Sequence, residues 1–367
     1  MFKINFNWFQ LREQWWVIAL LIYHFVITAV AFQYISTEGG DSYFYWFQSS
    51  RSAGTIWSDW FPLGNGVMIW LNYFPAKVLN FPFWLGFYGY SFIGFLGIFQ
   101  FYRLGKVWVR TPVKVFGCSL LILLLFLPNF HFWTGHISKE VWCFLWISTI
   151  LLKLHQRRFK SWQLWLCSFL LLMLRPHVAL MLAFPIGVAY VFFGNLKLKK
   201  KVLIGVLGSL FLGIAFYGFL LLAGFWTFDW EKLREWNDYS ILSFQRADSY
   251  VPMLDYNYPM KLFSFYFRPL FFDAQDINGW VLSLENAITL LAHILGLALI
   301  VRFYKRIEWD RLSQIILLYV LVAGLIYVQR YAALGIFVRT KIMIQPFVML
   351  LILKVAGDVF NFQIKKR

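Results

Sequence analysis

The chain has 367 residues, of which 60% are hydrophobic, 22% aromatic and only 14% charged, and its mean hydropathy is +0.63. A soluble chain of this length cannot bury so much apolar surface, so the composition excludes a soluble globular protein and predicts an all-α polytopic membrane protein. The formal net charge of +17 would suit nucleic-acid binding, but its distribution along the chain argues against that class. The three cysteines lie in apolar runs, with a spacing that indicates neither disulfides nor a metal site.

Apolar runs predict about ten transmembrane helices in a single integral membrane domain covering residues 1–367. The first run lacks a small-residue cleavage site, so we expect a retained span rather than a signal peptide. Several runs are shorter than the usual length of a span. The predicted spans are residues 15–35, 82–102, 115–130, 141–153, 162–175, 177–193, 202–226, 280–301, 313–329 and 342–357.

The basic residues are concentrated in alternate loops between these spans. With both termini inside, the inner segments hold 22 of the 34 Lys and Arg residues but only four of the 17 acidic residues. This distribution satisfies the positive-inside rule and explains the net charge by topology and by contact with anionic lipids. It predicts an N-in, C-in membrane protein, with no nucleic acid among its partners.

Two outer loops are predicted to be long, residues 36–81 and residues 227–279. The apolar piece Gly64–Asn80 within the first contains Asn72, Pro75 and Lys77. If that piece crossed the membrane, every later basic loop would face outward. It is therefore predicted to be a helix lying in the outer interface, and the aromatic segment before it is interpreted in the same way.

The first outer loop opens with "GGDSYFYW", in which Asp41 follows two glycines and Tyr43 comes two residues later. The glycines allow the backbone to turn sharply where the chain leaves the first span. Asp41 could form an Asx-turn or cap the interfacial helix. It could also be a general base at the lipid–water boundary, with Tyr43 as a substrate-binding residue.

A second outer motif, "HFWTGHISKE" (His131–Glu140), joins the third and fourth predicted spans. Lys139 could anchor the interface by snorkelling, or it could bind a phosphate together with the free N–H groups of a helix N-terminus. His131 and His136 have a spacing that a metal could use, but no third ligand is evident. A divalent metal is therefore not supported, and His136 is a candidate substrate-binding residue.

Charged residues also lie at membrane depth in "LRPHV" (Leu174–Val178), where Pro176 breaks the helix between Arg175 and His177. An Arg inside a membrane segment costs roughly 2.5–3.5 kcal/mol on insertion scales, so it usually has a partner or a function. Arg175 could cap helix ends, or it could bind a phosphate. His177 is a candidate substrate-binding residue beside it.

The later outer segments contribute Arg268, Arg339 and Lys341, and Glu285 lies just inside the eighth predicted span. Glu285 could bind substrate or form an ion pair with one of these arginines. Arginine binds phosphate through paired N–H donors, so the cations predict a lipid phosphate or diphosphate whose tail lies in the bilayer. An outward-facing site would receive its activated sugar on a lipid carrier rather than on a cytoplasmic nucleotide.

The layout resembles the GT-C class of membrane glycosyltransferases, which use polyprenyl-phosphate sugars. The resemblance lies in the acidic residue after the first span in "GGDSYFYW", the interfacial helices of the first outer loop and the many spans with short connections. Pieces such as "HFWTGHISKE", "RPH", "FRPL", "LEN" and "RTKIMIQP" also resemble uncharacterised integral membrane proteins of bacterial surface-polysaccharide loci. The resemblance implies that Asp41 is the base. The first loop lacks an Asp-Glu or Asp-x-Asp pair, so no cofactor beyond the lipid-linked donor is implied.

The expected function is inverting transfer of a sugar from a polyprenyl-phosphate donor to a glycan or lipid acceptor on the outer face. Asp41 would act as the base, and a cluster of cations would hold the lipid phosphate. The phosphate-binding candidates are Lys139, Arg175, Arg268, Arg339 and Lys341.

Two alternatives remain open. A repeat-unit polymerase or ligase would hold a lipid diphosphate with Arg175 and Arg339 and use His177 as its base. A non-enzymatic lipid-glycan flippase or transporter would need polar residues along an inward path. Most spans lack such residues, and the isolated His24 and His293 are expected to be hydrogen-bonded packing residues.

Overall fold

The computed structural model describes residues 15–51, 57, 64–194, 196–222, 224 and 228–364. These form two compact units, Met1–Pro176 (unit 1) and His177–Arg367 (unit 2). Residues 52–56 and 58–62 of the interfacial segment predicted over residues 44–62 lie outside the described residues, as do the basic residues nearest both termini. The single domain of residues 1–367 stays a prediction.

Unit 1 consists of helices and one short hairpin. Its helices are α1 (Trp15–Glu38), α2 (Asp41–Arg51), α3 (Asn65–Asn72), the π-helical segment Tyr73–Val78, α4 (Phe83–Trp108), α5 (Leu120–Leu125), α6 (Pro128–Thr134), α7 (Lys139–His155) and α8 (Trp162–Leu174). The hairpin pairs β1 (Lys114–Val115) with β2 (Cys118–Ser119) in antiparallel register.

Unit 2 is also helical. Its helices are α9 (Pro176–Val191), which starts at the unit boundary, α10 (Leu198–Leu222), α11 (Trp230–Leu242), α12 (Tyr258–Phe267), α13 (Ile277–Phe303), α14 (Arg311–Tyr327), α15 (Leu334–Lys341) and α16 (Gln345–Ile364). Short 3₁₀ turns cover Ser243–Arg246, Phe271–Asp273 and Tyr304–Arg306.

The all-α prediction is confirmed at the level of helices, and nine of the ten predicted spans fall on α1, α4, α7, α8, α9, α10, α13, α14 and α16. Among the described residues, three helices are long and apolar enough to cross a membrane: Trp15–Glu38, Leu198–Gly218 and Ile277–Arg306. A fourth candidate is the pair Leu334–Lys341 and Gln345–Phe360, which is bent by 54°. Several other apolar helices are shorter, so the number ten stays a prediction.

The predicted third span, residues 115–130, is wrong as a continuous helix. Its first residues form the β1–β2 hairpin, whose turn residues Phe116 and Gly117 both have positive φ (49° and 81°). Such a turn suits a tight hairpin and is incompatible with helix. The remaining apolar residues form α5 and α6, which are separated at Phe126–Leu127 because Pro128 is placed at the start of a new helix.

Helix α7 lies at the centre of unit 1, with twelve of its 17 residues buried. It packs along α4 and α8, and α1 packs on α4 and α6. Glycines allow the close approach: a Cβ on Gly94 would lie 1.8 Å from the carbonyl oxygen of Thr134, and one on Gly97 would lie 3.1 Å from the ring of Phe144. Backbone contact at small residues is typical of helices that pack inside membranes.

The buried histidine of the first helix is a packing residue, as the sequence predicts. His24 Nδ1 lies 2.8 Å from His131 Nδ1, and its Nε2 donates to the carbonyl oxygen of Ser91 at 2.9 Å. These contacts join α1, α4 and α6. In unit 2, His293 Nδ1 lies 2.7 Å from the carbonyl oxygen of Thr289, within its own helix α13.

Unit 2 is built on the contacts of α13 with α16, α16 with α14, and α12 with α14 and α15. Gly296 of α13 faces Ile352 of α16, and Gly324 of α14 faces the ring of Tyr266. Polar side chains begin four of the helices by accepting from backbone N–H groups, which satisfies donors that a helix start leaves open. These capping residues are Asp229, Asn257, Asp276 and Asp310.

Candidate functional site

Asp41 lies where the chain leaves α1 and enters α2. Gly39 and Gly40 have φ values of 77° and 117°, which L residues rarely adopt, and so the sharp turn requires glycines here. Trp46 packs on Gly86 and fixes α2 against α4. The Asp41 side chain is exposed in the first turn of α2, where the helix dipole favours a carboxylate.

The first turn of α2 contacts the segment that precedes α7. Ser42 Oγ donates to the carbonyl oxygen of Ile137 at 2.8 Å. Lys139 Nζ lies 5.9 Å from the centre of the Tyr45 ring. Tyr45 comes one helical turn after Asp41, so the two side chains share a face of α2. The helix that begins with the predicted base, Asp41, therefore approaches the predicted phosphate-binding lysine through Tyr45.

Asn65, the first residue of α3, joins this contact. Its Oδ1 accepts hydrogen bonds from Lys139 Nζ and from the hydroxyl of Tyr45, the latter at 3.3 Å. The preceding Gly64 donates its N–H to the carbonyl oxygen of Met173 near the end of α8, at 3.1 Å. Two parts of the predicted first outer loop, α2 and the start of α3, thus meet the start of α7.

Arg175 lies at the same end of unit 1, where it forms an ion pair with Glu140. Both side chains are buried, Glu140 completely. Arg175 follows the last residue of α8, and Glu140 lies in the first turn of α7. The partner that an arginine at membrane depth requires is therefore a carboxylate from the neighbouring helix.

These contacts also determine the path of the chain over the predicted third span, residues 115–130. Ile137 and Lys139 meet α2 at the end where α4 begins, because α2 packs on Gly86 near the start of that helix. Helix α4 leads the chain away from this end, so α5 and α6 must lead it back. The segment over residues 115–134 therefore still traverses unit 1, although not as one helix.

Tyr43 and His136 have mainly aromatic surroundings. The Tyr43 ring, 38% exposed, lies 4.2 Å from the ring of Phe47. His136 is buried, with its ring 5.2 Å from Trp133 and 5.9 Å from Phe132. Their predicted substrate contacts stay predictions, with Tyr43 the more accessible of the two.

In unit 2, the guanidinium of Arg268 has a carboxylate partner. Its Nε donates to Asp273 Oδ2 at 3.1 Å, and its Nη1 donates to the hydroxyl of Tyr256 at 3.3 Å. The hydrogen bond that Arg268 donates to Asp273 raises the pKa of Arg268 above its ordinary value. Asp273 also accepts from the backbone N–H of Leu270, so the loop after α12 is fixed around this pair.

Lys341 is buried, and its ammonium points into the protein. Nζ donates to the carbonyl oxygens of Tyr266 and Arg268, at 3.3 and 3.0 Å, and to Asn286 Oδ1 at 2.9 Å. Asn286 in turn donates to the carbonyl oxygen of Pro269 at 2.8 Å. Lys341 therefore holds the chain where α12 ends, and a phosphate would have to replace these acceptors.

The other predicted residues of unit 2 lie on three helices. His177 is exposed in the first turn of α9, with its ring 6.3 Å from that of Tyr327. Glu285 on α13 and Arg339 on α15 are partly buried. Five of the ten predicted site residues therefore belong to unit 1 and five to unit 2, and a single site formed by all ten stays a prediction.

Sequence analysis missed several partners of these residues. Asn65 lies in an apolar run that was interpreted only as an interfacial helix, and nothing in the sequence pairs Asp273 or Asn286 with the cations they contact. For Glu140 alone the sequence offers a signal, because this residue lies next to Lys139 in the motif His131–Glu140. Among the described residues, no group of three or more His, Cys, Asp or Glu could hold a metal ion.

Comparison with known proteins identifies no relative. No protein family model, curated protein or solved structure matches the chain. The resemblance to the GT-C class therefore stays a prediction, and a functional assignment must come from the chemistry of the site.

Proposed function

We propose that the protein transfers a sugar from a polyprenyl-phosphate donor to a glycan or lipid acceptor at the outer face of the bacterial cytoplasmic membrane. The observation that carries the proposal is the arrangement at one end of unit 1. An exposed carboxylate, Asp41, opens a helix whose first turn meets the segment before Lys139. Glu140, the next residue after Lys139, forms an ion pair with Arg175 at the end of α8.

The chemistry requires a base on one side of the anomeric carbon and cations on the other. Asp41 accepts the proton of the acceptor hydroxyl, and the acceptor oxygen forms the new bond to the anomeric carbon. The bond from that carbon to the phosphate oxygen breaks, and polyprenyl phosphate leaves with the bonding electrons. Lys139 stabilises the negative charge that develops on the phosphate.

Arg175 supports this site rather than binding the phosphate alone. Its charge is balanced by the buried Glu140, so its contribution is to fix the start of α7, and thereby Lys139, against the end of α8. Arg268 and Lys341 donate to internal acceptors in unit 2, so a phosphate there would have to compete with those acceptors.

A repeat-unit polymerase or ligase is the second candidate. It is favoured by His177, an exposed imidazole that comes two residues after Arg175 at the start of α9. Here His177 would be the base, and the released lipid would be a polyprenyl diphosphate rather than a monophosphate.

The released lipid distinguishes the two candidates. Purified protein in lipid nanodiscs is incubated with lipid-linked sugars extracted from bacterial membranes, and the lipid products are separated by mass. We expect polyprenyl monophosphate. Release of polyprenyl diphosphate would favour the polymerase or ligase, and release of neither from a broad donor set would contradict both enzymatic functions.

A further inference from the structure

His24 and His131 form a buried pair where α1, α4 and α6 meet, and the proposed function does not use this pair. Both side chains are fully buried. Their Nδ1 atoms lie 2.8 Å apart, which is within hydrogen-bond range. Each ring makes a second contact through Nε2. His24 Nε2 lies 2.9 Å from the carbonyl oxygen of Ser91, and His131 Nε2 lies 2.5 Å from that of Leu125.

These three contacts need three hydrogens, one for each. A carbonyl oxygen only accepts, so both Nε2 atoms must carry a hydrogen. A neutral imidazole has a single N–H, so two neutral rings would leave both Nδ1 atoms without hydrogen. Two such nitrogens at 2.8 Å direct their lone pairs at each other. A third hydrogen between the Nδ1 atoms removes this conflict and gives the pair one positive charge.

Other arrangements of the two neutral rings do not satisfy the contacts. Moving one hydrogen from Nε2 to Nδ1 joins the rings, but it directs the Nε2 lone pair of that ring at a carbonyl oxygen. Turning a ring over exchanges each nitrogen with a carbon, and that ring then loses both of its hydrogen bonds. A buried polar group without a hydrogen bond is costly. The observed geometry is therefore that of the protonated pair.

The surroundings favour one charge on the pair rather than two. Burial disfavours charge on either ring, and a charge on one ring opposes a charge on the other. One shared proton spreads a single charge over both rings, and each Nε2–H meets a carbonyl oxygen. Tyr23 contacts the pair with its ring 4.8 Å from that of His131, and a phenol is ordinarily neutral. Among the described residues, no carboxylate, lysine or arginine contributes to the electrostatics of either ring.

We propose that His24 and His131 bind one proton between their Nδ1 atoms, and that losing this proton separates the rings and loosens the contact of α1 with α6. The contact continues one helical turn further along α1, where a Cβ on Gly135 would lie 2.7 Å from Thr28 Oγ1. The pair is therefore a pH-sensitive link between α1 and the motif His131–Glu140. The inference is independent of the proposed function.

The first test is NMR spectroscopy of the whole protein in nanodiscs, with nitrogen-15 in the histidine rings, from mildly acidic to alkaline pH. At the acidic end we expect a hydrogen on both Nε2 atoms of the pair and one proton shared by the two Nδ1 atoms. Both rings should lose this proton in a single step as the pH rises. His24→Asn and His131→Asn assign the signals. His293, whose Nδ1 contacts a backbone carbonyl oxygen rather than a second ring, is the control and should show no shared proton.

The second test uses His24→Asn to separate packing from proton binding. The amide nitrogen of asparagine carries two hydrogens, so it can donate to His131 Nδ1 while the pair stays neutral. The protection of the α6 amides against hydrogen exchange is measured and corrected for the intrinsic effect of pH. In the unmodified protein this protection should fall about tenfold as the proton is lost, as expected for one hydrogen bond to a charged group. In His24→Asn it should not change over the same range.

The spectra of the unmodified protein decide the proton site without any variant. If both Nδ1 atoms lack hydrogen at every pH at which the protein stays folded, or if the two rings titrate independently, the inference is wrong. A shared proton whose loss leaves the exchange of α6 unchanged would overturn the link to α6. Should His24→Asn not fold, His131→Asn provides the same comparison from the other ring.

Discussion

At the scale of single residues, the buried pair of Glu140 and Arg175 is the clearest electrostatic feature of unit 1. Each charge is buried and forms an ion pair with the other. Removing one partner leaves an uncompensated buried charge, which costs roughly 3–5 kcal/mol. We therefore expect Glu140→Gln to lower the melting temperature of the purified protein by several degrees.

The control for this variant is Glu231→Gln, at an exposed glutamate of unit 2, which should melt like the unmodified protein. Arg175→Leu combined with Glu140→Leu should recover part of the lost stability, because an apolar pair leaves no buried charge. If Glu140→Gln melts normally, the ion pair does not hold α7 and α8 together as described.

Lys341 offers a second residue-scale prediction, since its ammonium satisfies three oxygens inside unit 2. Lys341→Met keeps the volume but removes the donor to the oxygens of Arg268 and Asn286, while Gln345 still donates to the carbonyl oxygen of Tyr266. A buried unsatisfied group costs about 1–3 kcal/mol. We expect a clearly lowered melting temperature, with Lys232→Met, at an exposed lysine, as the control. A normal melting temperature together with weaker phosphate binding would show that Lys341 is a ligand-binding residue instead.

At the scale of elements, the packing of α4 on α6 depends on Gly94. A Cβ there would lie 1.8 Å from the carbonyl oxygen of Thr134, a backbone atom that cannot move aside alone. Overpacking of this kind costs about 1–3 kcal/mol. Gly94→Ala should therefore lower the melting temperature.

Gly89 provides the matched control on the same helix. A Cβ at Gly89 meets no atom within 4 Å, and alanine favours helix over glycine by about 1 kcal/mol. Gly89→Ala should melt at or above the temperature of the unmodified protein. Equal effects of the two substitutions would contradict the close contact of α4 with α6.

Hydropathy predicted the helices well because a long apolar run leaves the backbone few alternatives to helix in a membrane. It failed over residues 115–130, where the apolar run is continuous but the local backbone is not. Gly117 and Pro128 were the available signals, and they had less weight than the apolar composition. The periodicity and the composition of an apolar run cannot distinguish one long helix from two shorter helices that are joined by a break.

The site was predicted by residue type but not by partner. Asp41, Lys139 and Arg175 are predicted site residues because placing a charged side chain at membrane depth costs free energy. Their contacts join residues 74 positions apart, Asn65 and Lys139, or 35 apart, Glu140 and Arg175. Such pairings arise from tertiary packing, which a single sequence does not reveal.

At the scale of the whole molecule, the distribution of basic residues predicts which side of the membrane each loop faces. In a Cys118→Ser background, Ser36→Cys should react with a membrane-impermeant maleimide on intact cells. Ser161→Cys, beside the basic residues of the α7–α8 connection, should react only after the cells are permeabilised. The reverse pattern would place Asp41 inside and rule out an outward-facing site.

The central claim is that Asp41 is the base of a sugar transfer. The most direct measurement compares the rate of polyprenyl monophosphate release by Asp41→Asn, by His177→Ala and by Glu38→Gln, which alters an exposed carboxylate three residues before Asp41. The account predicts a loss of about 100-fold or more for Asp41→Asn. It also predicts near-normal rates for the other two variants and unchanged melting temperatures for all three. A normal rate for Asp41→Asn, or a loss confined to His177→Ala, would contradict it.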